Sequence, residues 1–366
     1  MDIQHLINLV NSLIALPYIF LLLGTGIFLT IGLRFLPVRK LPQTIRELVR
    51  GIRPESSRGD ITPFQALTTE LSATIGTGNI AGVATAIFLG GPGAIFWMWV
   101  CALFGMATKF CESFLSVKYR HVLKDGTISG GPMWYISQGL KNRWLAGFFA
   151  FSGALSAFGI GNMAQSNSVA LVLVKSWRIP EIVTGLTLAI LTSLVIVGGI
   201  KRIGRITEFL VPIMSLLYIG AALLILLFNI SKIDDVFSLI ITHAFSPIAA
   251  SGGFAGAAIS QAIRYGIIRG VFSNEAGLGS TPRAHAAAQT DSPFNQGLVS
   301  MSGIFFDTII ICSMTAFVIL IFPEAWTSGE NSSSLTSLAF NCGIPSIGKH
   351  IVTLSLVTFA FSTIIG

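Results

Sequence analysis

Charge is scarce in this sequence. Only 11% of its 366 residues are Asp, Glu, Lys or Arg, where a soluble domain carries about 25%. With 52% hydrophobic residues and a mean hydropathy of +0.77, an ordinary water-soluble domain is excluded. Cysteine is scarce too. Cys101, Cys111, Cys312 and Cys342 show no CxxC spacing and three of them lie in apolar runs, so neither a disulfide framework nor a zinc site is expected. The five histidines (His5, His121, His243, His285, His350) have no ligand spacing. An intramembrane enzyme needs a nucleophile with its base, or a metal cluster, at membrane depth. No histidine falls deep in a predicted span, so the reading is of a protein that is not an enzyme. Residues 1–8 lack the basic start of a secretory leader, so no cleavable signal peptide is expected.

Long apolar runs are what the chain has instead. A span needs about 20 apolar residues. Nine candidates occur, at 6–33, 62–89, 94–117, 144–174, 182–200, 206–230, from about 253, at 298–322 and at 346–366. They predict an all-α polytopic protein surrounded by membrane lipid. The net charge of +7 does not point to nucleic acid, because the basic residues sit in short loops between the runs. Loop 34–60 holds seven of them (Arg34, Arg39, Lys40, Arg46, Arg50, Arg53, Arg58) against three acids. Basic loops stay on the cytoplasmic side, which places the N-terminus outside in a multi-pass protein of the cell inner (plasma) membrane. With that topology sixteen Lys and Arg fall in inside loops and four in outside loops. Pro212 predicts a kink in the sixth span, and 234–251 reads as an external surface helix and loop.

Residues 71–87 break the pattern. They are too apolar for a surface loop and too rich in Gly, Thr and Ser for a lipid-facing helix. Gly76 and Gly78 sit in the middle, flanked by Thr74, Thr77 and Asn79. Unwound backbone at membrane depth survives only inside protein or beside a water-filled cavity. Helix N-termini attract a carboxylate, and freed carbonyls and hydroxyls suit a small cation. One reading is therefore half of a binding site for a small zwitterion and its coupling ion. The other is a close-packing helix, since small residues also line helix interfaces in membranes.

A second Gly-rich polar interruption, 270–280, falls inside the seventh span. If the first helix is peripheral, both interruptions open a unit, and the units cross in opposite directions. Interrupted helices at matching positions of inverted repeats point to a transporter's central site. The predicted organisation is an N-terminal peripheral helix with a basic loop (1–61), a first five-helix repeat (62–230) and a second repeat (231–366). The second repeat has three spans where five are needed, so it reads as lacking its last two helices.

At these residues the chain resembles the alanine or glycine:cation symporter family, the sodium:alanine symporters. The most specific piece is Gly90-Gly91-Pro92-Gly93-Ala94-Ile95-Phe96-Trp97-Met98-Trp99 and the residues to Gly105. It is supported by Gly76-Thr77-Gly78-Asn79-Ile80-Ala81-Gly82, Gly130-Gly131-Pro132-Met133-Trp134-Tyr135 and Gly270-Val271-Phe272-Ser273-Asn274-Glu275-Ala276-Gly277-Leu278-Gly279-Ser280. The resemblance implies a LeuT-type five-plus-five inverted repeat with an extra N-terminal helix. It implies uptake of alanine or glycine driven by sodium, with proton coupling or a transport-inactive fragment as the alternatives. It further implies that Thr74 and the amides of Gly76, Thr77 and Gly78 receive the substrate carboxylate, and that Phe272, Ser273 and Asn274 supply carbonyls for its amino group. Asn79 would coordinate a cation. Ser362 and Thr363 would lend hydroxyls to another cation site facing the backbone near Ser72 and Ile75, or else form a helix-packing pair.

Asn162 and Gln165 in the fourth span either contact substrate or hydrogen-bond between helices. Glu275 and Asp307 are ionisable at membrane depth, where their cost argues for a purpose. They are expected to pair with Arg264 or Arg269, or to relay a proton. Lys109 and Glu112 lie near a cytoplasmic end and are expected to snorkel.

Overall fold

The computed structural model describes residues 3–50, 57–245 and 255–366. Arg53, residues 246–251 of the expected external segment, and the start of the seventh span at Gly253 lie outside the described residues.

Helix α1 (Ile3–Gly32) leads into two short helices, α2 (Leu36–Arg39) and α3 (Leu41–Arg50). The first interrupted span follows as α4 (Pro63–Thr74), a π-helical turn (Gly78–Gly82) and α5 (Val83–Gly90). Its start is written locally. Thr62 accepts from the Gln65 amide and Gln65 Oε1 accepts from the Thr62 amide, a reciprocal cap ahead of Pro63. Gly91, at φ 71°, turns the chain into α6 (Ala94–Lys118). A two-stranded hairpin, β1 (His121–Val122) with β2 (Ile128–Ser129), and α7 (Pro132–Gly139) lead to α8 (Arg143–Ser156). A second π turn (Ala157–Met163) joins α8 to α9 (Ala164–Trp177). Then come α10 (Glu181–Ile196) and α11 (Gly199–Phe228), which runs on through Pro212.

The second half opens with α12 (Ile233–Phe245) and α13 (Ala255–Asn274), and a loop carries α14 (Pro282–Ala286). A long element follows as α15 (Pro293–Ile304), a third π turn (Phe305–Cys312) and α16 (Ser313–Ile321). The chain continues through α17 (Pro323–Trp326) and α18 (Ser332–Gly343) to α19 (Gly348–Ile365).

Among the described residues, five stretches are long and apolar enough to cross a membrane: Ala94–Lys118, Arg143–Trp177, Gly199–Phe228, Pro293–Ile321 and Gly348–Ile365. The bent pair formed by Pro63–Thr74 and Gly78–Gly90 makes a sixth, with 52° between its halves. The other expected spans fall short for visible reasons. Helix α10 has only 16 residues. Helix α13 has 20, but Gln261, Arg264 and Arg269 dilute its apolar character.

The interrupted helices sit where the other long helices converge. Leu67, Leu71, Ile75, Ile80 and Val83 of the first share a core with Val211, Tyr218 and Ile225 of α11, Phe340 of α18, and Leu356 and Phe359 of α19. Tyr218 is fully buried, stacks on Phe340 at 5.3 Å and meets Phe359 edge-on at 5.4 Å. Its hydroxyl is satisfied by Thr315, 2.7 Å away, as a polar group at this depth has to be.

Candidate functional site

The α-helix stops at Thr74 because the next carbonyls and amides are claimed by side chains. The Gly76 amide donates to Asn79 Oδ1 at 2.9 Å, and the Thr77 amide to Gln165 Oε1 of α9 at 3.3 Å. Thr315 donates to the Asn79 carbonyl at 2.8 Å and Thr336 to the Ile80 carbonyl at 3.0 Å. The interruption read from the sequence is therefore present, and it is wrapped in protein rather than lipid. The Thr74 hydroxyl is buried there without a hydrogen-bond partner.

Glycine is required by close approach. A Cβ on Gly76 would collide with Thr363 Oγ1 and lie 3.4 Å from Gln165 Oε1. A Cβ on Gly78 would lie 3.2 Å from the Ser273 Cα and 3.3 Å from the Phe272 ring.

The second interruption begins later than expected. Helix α13 continues through Phe272, Ser273 and Asn274, and the chain departs at Glu275 (φ 54°), Gly277 (φ 87°) and Gly279 (φ 70°). The Asn274 side chain stops the helix by accepting from the Ala276 amide at 3.0 Å.

The two interrupted elements lie antiparallel with their breaks level. Ile61 bridges Ala288 at one end. Gly78 abuts Phe272 and Ser273 in the middle, and Gly90 approaches Gln261 and Tyr265 at the other end.

Asp307 joins the two breaks. It is fully buried in the third π turn. Its Oδ1 accepts from Asn79 Nδ2 at 2.7 Å, and its Oδ2 from Ser273 Oγ and Thr308 Oγ1, each at 2.8 Å. Asn274 Nδ2 donates in turn to Thr308 Oγ1 at 3.2 Å. The expected pairing with Arg264 or Arg269 is not what forms. Those guanidiniums stack over Tyr265 and Phe272, at 5.9 and 5.7 Å from the ring centres, while Asp307 collects neutral donors from three elements. Glu275 likewise takes the Ser280 hydroxyl. Asn79, Asn162 and Asp307 each lie in a π turn, a local widening that recurs at functional sites.

A second cluster of oxygens faces the break from α19. Ser72 Oγ donates to the Ser362 carbonyl at 2.6 Å and accepts from Ser362 Oγ at 2.8 Å. Thr363 Oγ1 lies 3.4 Å from the Ile75 carbonyl, to which it donates. Ser72, Ile75, Ser362 and Thr363 are thus brought together, and Asn79 belongs to the Asp307 cluster instead. Gln165 reaches the break, but Asn162 does not. Helix α9 turns Gln165 inward, buried, whereas Asn162, in the π turn before it, is exposed.

Sequence reasoning missed a buried ionic hub on the other side of α4. Lys109 and Glu112 do not snorkel: Lys109 is fully buried and Glu112 is 9% exposed. Lys109 Nζ sits 3.3 Å from Glu70 Oε1 and donates to Thr281 Oγ1 at 2.6 Å. Glu70 Oε2 also meets His285 Nε2 and accepts from Ser300 Oγ at 2.9 Å. Glu112 accepts the Gly279 amide at 3.1 Å and the Gly277 amide at 3.4 Å. Below it, Ser116 donates to the Pro282 carbonyl, and Arg120 to the carbonyls of Ala286, Ala288 and Thr290. Lys109, Glu112 and Ser116 of α6, and Arg120 just past its end, recur every three or four residues, so one stripe fastens the loop after α13. That spacing was the available signal.

Comparison with known proteins identifies the family. A family model described as "Sodium:alanine symporter family" matches residues 1–366. The chain is 50% identical over 376 residues to a protein named sodium/alanine symporter AgcS of Methanococcus maripaludis, covering all of this chain and 82% of that one. It is 39% identical over 366 residues to the probable sodium/glutamine symporter GlnT of Bacillus subtilis, with 100% and 75% covered. It is 40% identical over 361 residues to a putative sodium/proton-dependent alanine carrier protein, YrbD, of the same organism, with 95% and 73% covered.

Proposed function

Since this chain belongs to the sodium:alanine symporter family, we propose that it imports a small neutral amino acid, alanine or glycine, together with sodium. The observation that supports this most directly is the pair of antiparallel interrupted helices, in which the first break abuts the last turn of α13 where Gly78 meets Ser273. Such a pair offers amide donors and carbonyl acceptors at one depth in the membrane, which is what a zwitterion requires. The amides of Gly76 and Thr77 are held by two side-chain amide oxygens, Asn79 Oδ1 and Gln165 Oε1. A substrate carboxylate brings two oxygens of the same kind. The Phe272 ring lies against Gly78, where it would wall the substrate site. A pocket of this sort separates substrates that differ by one methylene by only about 1–3 kcal/mol, so alanine and glycine compete.

Sodium is a hard cation that prefers oxygen ligands. Two groups of residues suit it. One is Asn79 with Asp307, where a carboxylate is surrounded by neutral donors only. The other is Ser72, Ser362, Thr363 and the Ile75 carbonyl.

In this reading the fold is a LeuT-type inverted repeat, with residues 62–230 as its first unit and 231–366 as part of its second. Helices α1, α10 and α13 add three crossings, for nine in all. The N-terminus is outside and the basic loop after α1 is on the cytoplasmic face of the plasma membrane.

The direct test is uptake of radiolabelled alanine into proteoliposomes with and without an inward sodium gradient. Uptake that requires the gradient supports the proposal. Uptake unchanged when choline replaces sodium, but driven by a pH gradient, overturns sodium coupling. Substitution at the break sharpens the test. Gly76→Ala is expected to abolish uptake, because its Cβ has no room beside Thr363. Gly78→Ala is expected to slow it less, because neighbours a few tenths of an ångström too close can shift. Parental rates in Gly76→Ala, at equal protein, would remove this stretch from the site.

A further inference from the structure

The segment after α1 carries an exposed apolar surface. Helix α1 ends in a sharp turn in which two consecutive non-glycine residues, Arg34 (φ 52°) and Phe35 (φ 56°), are left-handed. The Phe35 amide reaches back to the Thr30 carbonyl at 2.9 Å and the Arg34 amide to Ile31 at 2.9 Å, which fixes the turn. Helix α2 therefore starts at Leu36, about one turn past the end of α1 at Gly32, and α3 follows it at Leu41.

Along them, Phe35, Val38, Pro42, Ile45 and Val49 recur at alternating intervals of three and four, one continuous stripe, and all five are exposed. Phe35 is 54%, Val38 60%, Ile45 58% and Val49 65% exposed. The opposite face holds Leu36, Pro37 and Thr44, which are buried, and Leu36 packs beside Met106 and Phe110 of α6. The stripe is thus the outward face of a segment already docked on the protein. Arg39 and Arg46 each follow a stripe residue by one position, lie along one edge of it, and are exposed. Glu47 is the one acid between residues 34 and 54.

We propose that α2 and α3 form an interfacial membrane anchor. The apolar stripe lies in the acyl boundary of the leaflet from which the basic loop projects, and Arg39 and Arg46 hold anionic phospholipid headgroups. An apolar face edged with arginine is the composition that binds such a surface, and the connection to α1 delivers it there. From Phe35 to Val49, across α2 and α3, the stripe is about 20 Å long at the helical rise per residue, enough for two headgroups side by side. The proposal rests on the chain being a multi-pass membrane protein and is independent of its cargo.

The test uses the full chain in vesicles of phosphatidylethanolamine with phosphatidylglycerol. A nitroxide is placed by Val49→Cys in a background carrying Cys111→Ser and Cys342→Ser, and its collisions with oxygen and with a water-soluble nickel chelate are compared. Collisions dominated by oxygen are expected. Collisions dominated by nickel, or a label immobilised by contact with a second copy or another protein, overturn the anchor. In parallel, anionic lipid retained after detergent extraction is counted by native mass spectrometry. Each arginine near such a surface is worth about fivefold in affinity, so Arg39→Gln with Arg46→Gln is expected to weaken retention about 25-fold. Retention equal to the parent overturns the headgroup role. Alanine uptake by the same preparations reports separately on the transport reading.

Discussion

Replacing Asp307 by alanine is expected to lower the rate of sodium-driven alanine uptake by about two orders of magnitude. The carboxylate holds Asn79 Nδ2, Ser273 Oγ and Thr308 Oγ1, which come from the first interrupted helix, the second, and its own π turn. Each buried donor left without a partner costs about 1–3 kcal/mol. Asn79 Nδ2 keeps the Asp307 carbonyl at 3.3 Å and Cys312 Sγ at 3.4 Å, and Ser273 Oγ keeps Cys312 Sγ at 3.3 Å, which brings the loss down to about the 2.7 kcal/mol that a hundredfold effect represents. Asp307→Asn tests charge separately from shape. The amide is nearly isosteric, but it can turn only one oxygen toward donors that now address two. It is expected to raise the sodium concentration needed for half-maximal uptake more than it changes the thermal midpoint in detergent. Initial rates across a sodium series settle the matter. A parental sodium dependence in both variants would show that Asp307 only packs the two breaks together.

Replacing Lys109 by methionine is expected to cost stability first and transport as a consequence. Lys109 and Glu70 are both essentially inaccessible, 0% and 1% exposed. Removing one member of a buried pair leaves an uncompensated charge and costs about 3–5 kcal/mol, whereas replacing both by apolar groups of similar size is often close to neutral. His285 remains beside Glu70 in the single variant and shares its charge, so the loss is expected at the lower end of that range. The double variant Lys109→Met with Glu70→Leu is expected to recover part of it. The non-additivity is the informative quantity, since residues in direct contact couple by about 0.5–3 kcal/mol. Thermal midpoints of the four proteins in one detergent measure it. Equal midpoints for parent and Lys109→Met would mean that Thr281 and the α6 stripe hold the loop without the ion pair.

Much of this organisation is legible in the residues alone, and the reason is the solvent. A bilayer demands about 20 apolar residues per crossing and forbids unsatisfied backbone. The apolar runs, the basic loops and the interruption at Gly76–Asn79 were therefore legible without coordinates. So was the likeness of 90–105 to a symporter family, and the match along the whole chain bears it out. Where residues 71–87 admitted either an unwound break or mere close packing, the structure shows unwound backbone that is also closely packed at Gly76 and Gly78.

What the tertiary structure alone decided is which polar residues meet. Asp307 stands 228 positions from Asn79, and nothing local says that it collects neutral donors rather than an arginine. Asn162 and Gln165 are one helical turn apart in sequence. The π turn between α8 and α9 rotates only Gln165 toward the break. Lys109 and Glu112 resembled residues at a helix end that reach for water. They stay buried because Glu70, Thr281 and the amides after α13 are brought within hydrogen-bonding distance by contacts about 40 to 170 positions apart. Periodicity reports what a segment turns toward its surroundings. Only the packing of segments against one another specifies which charge answers which.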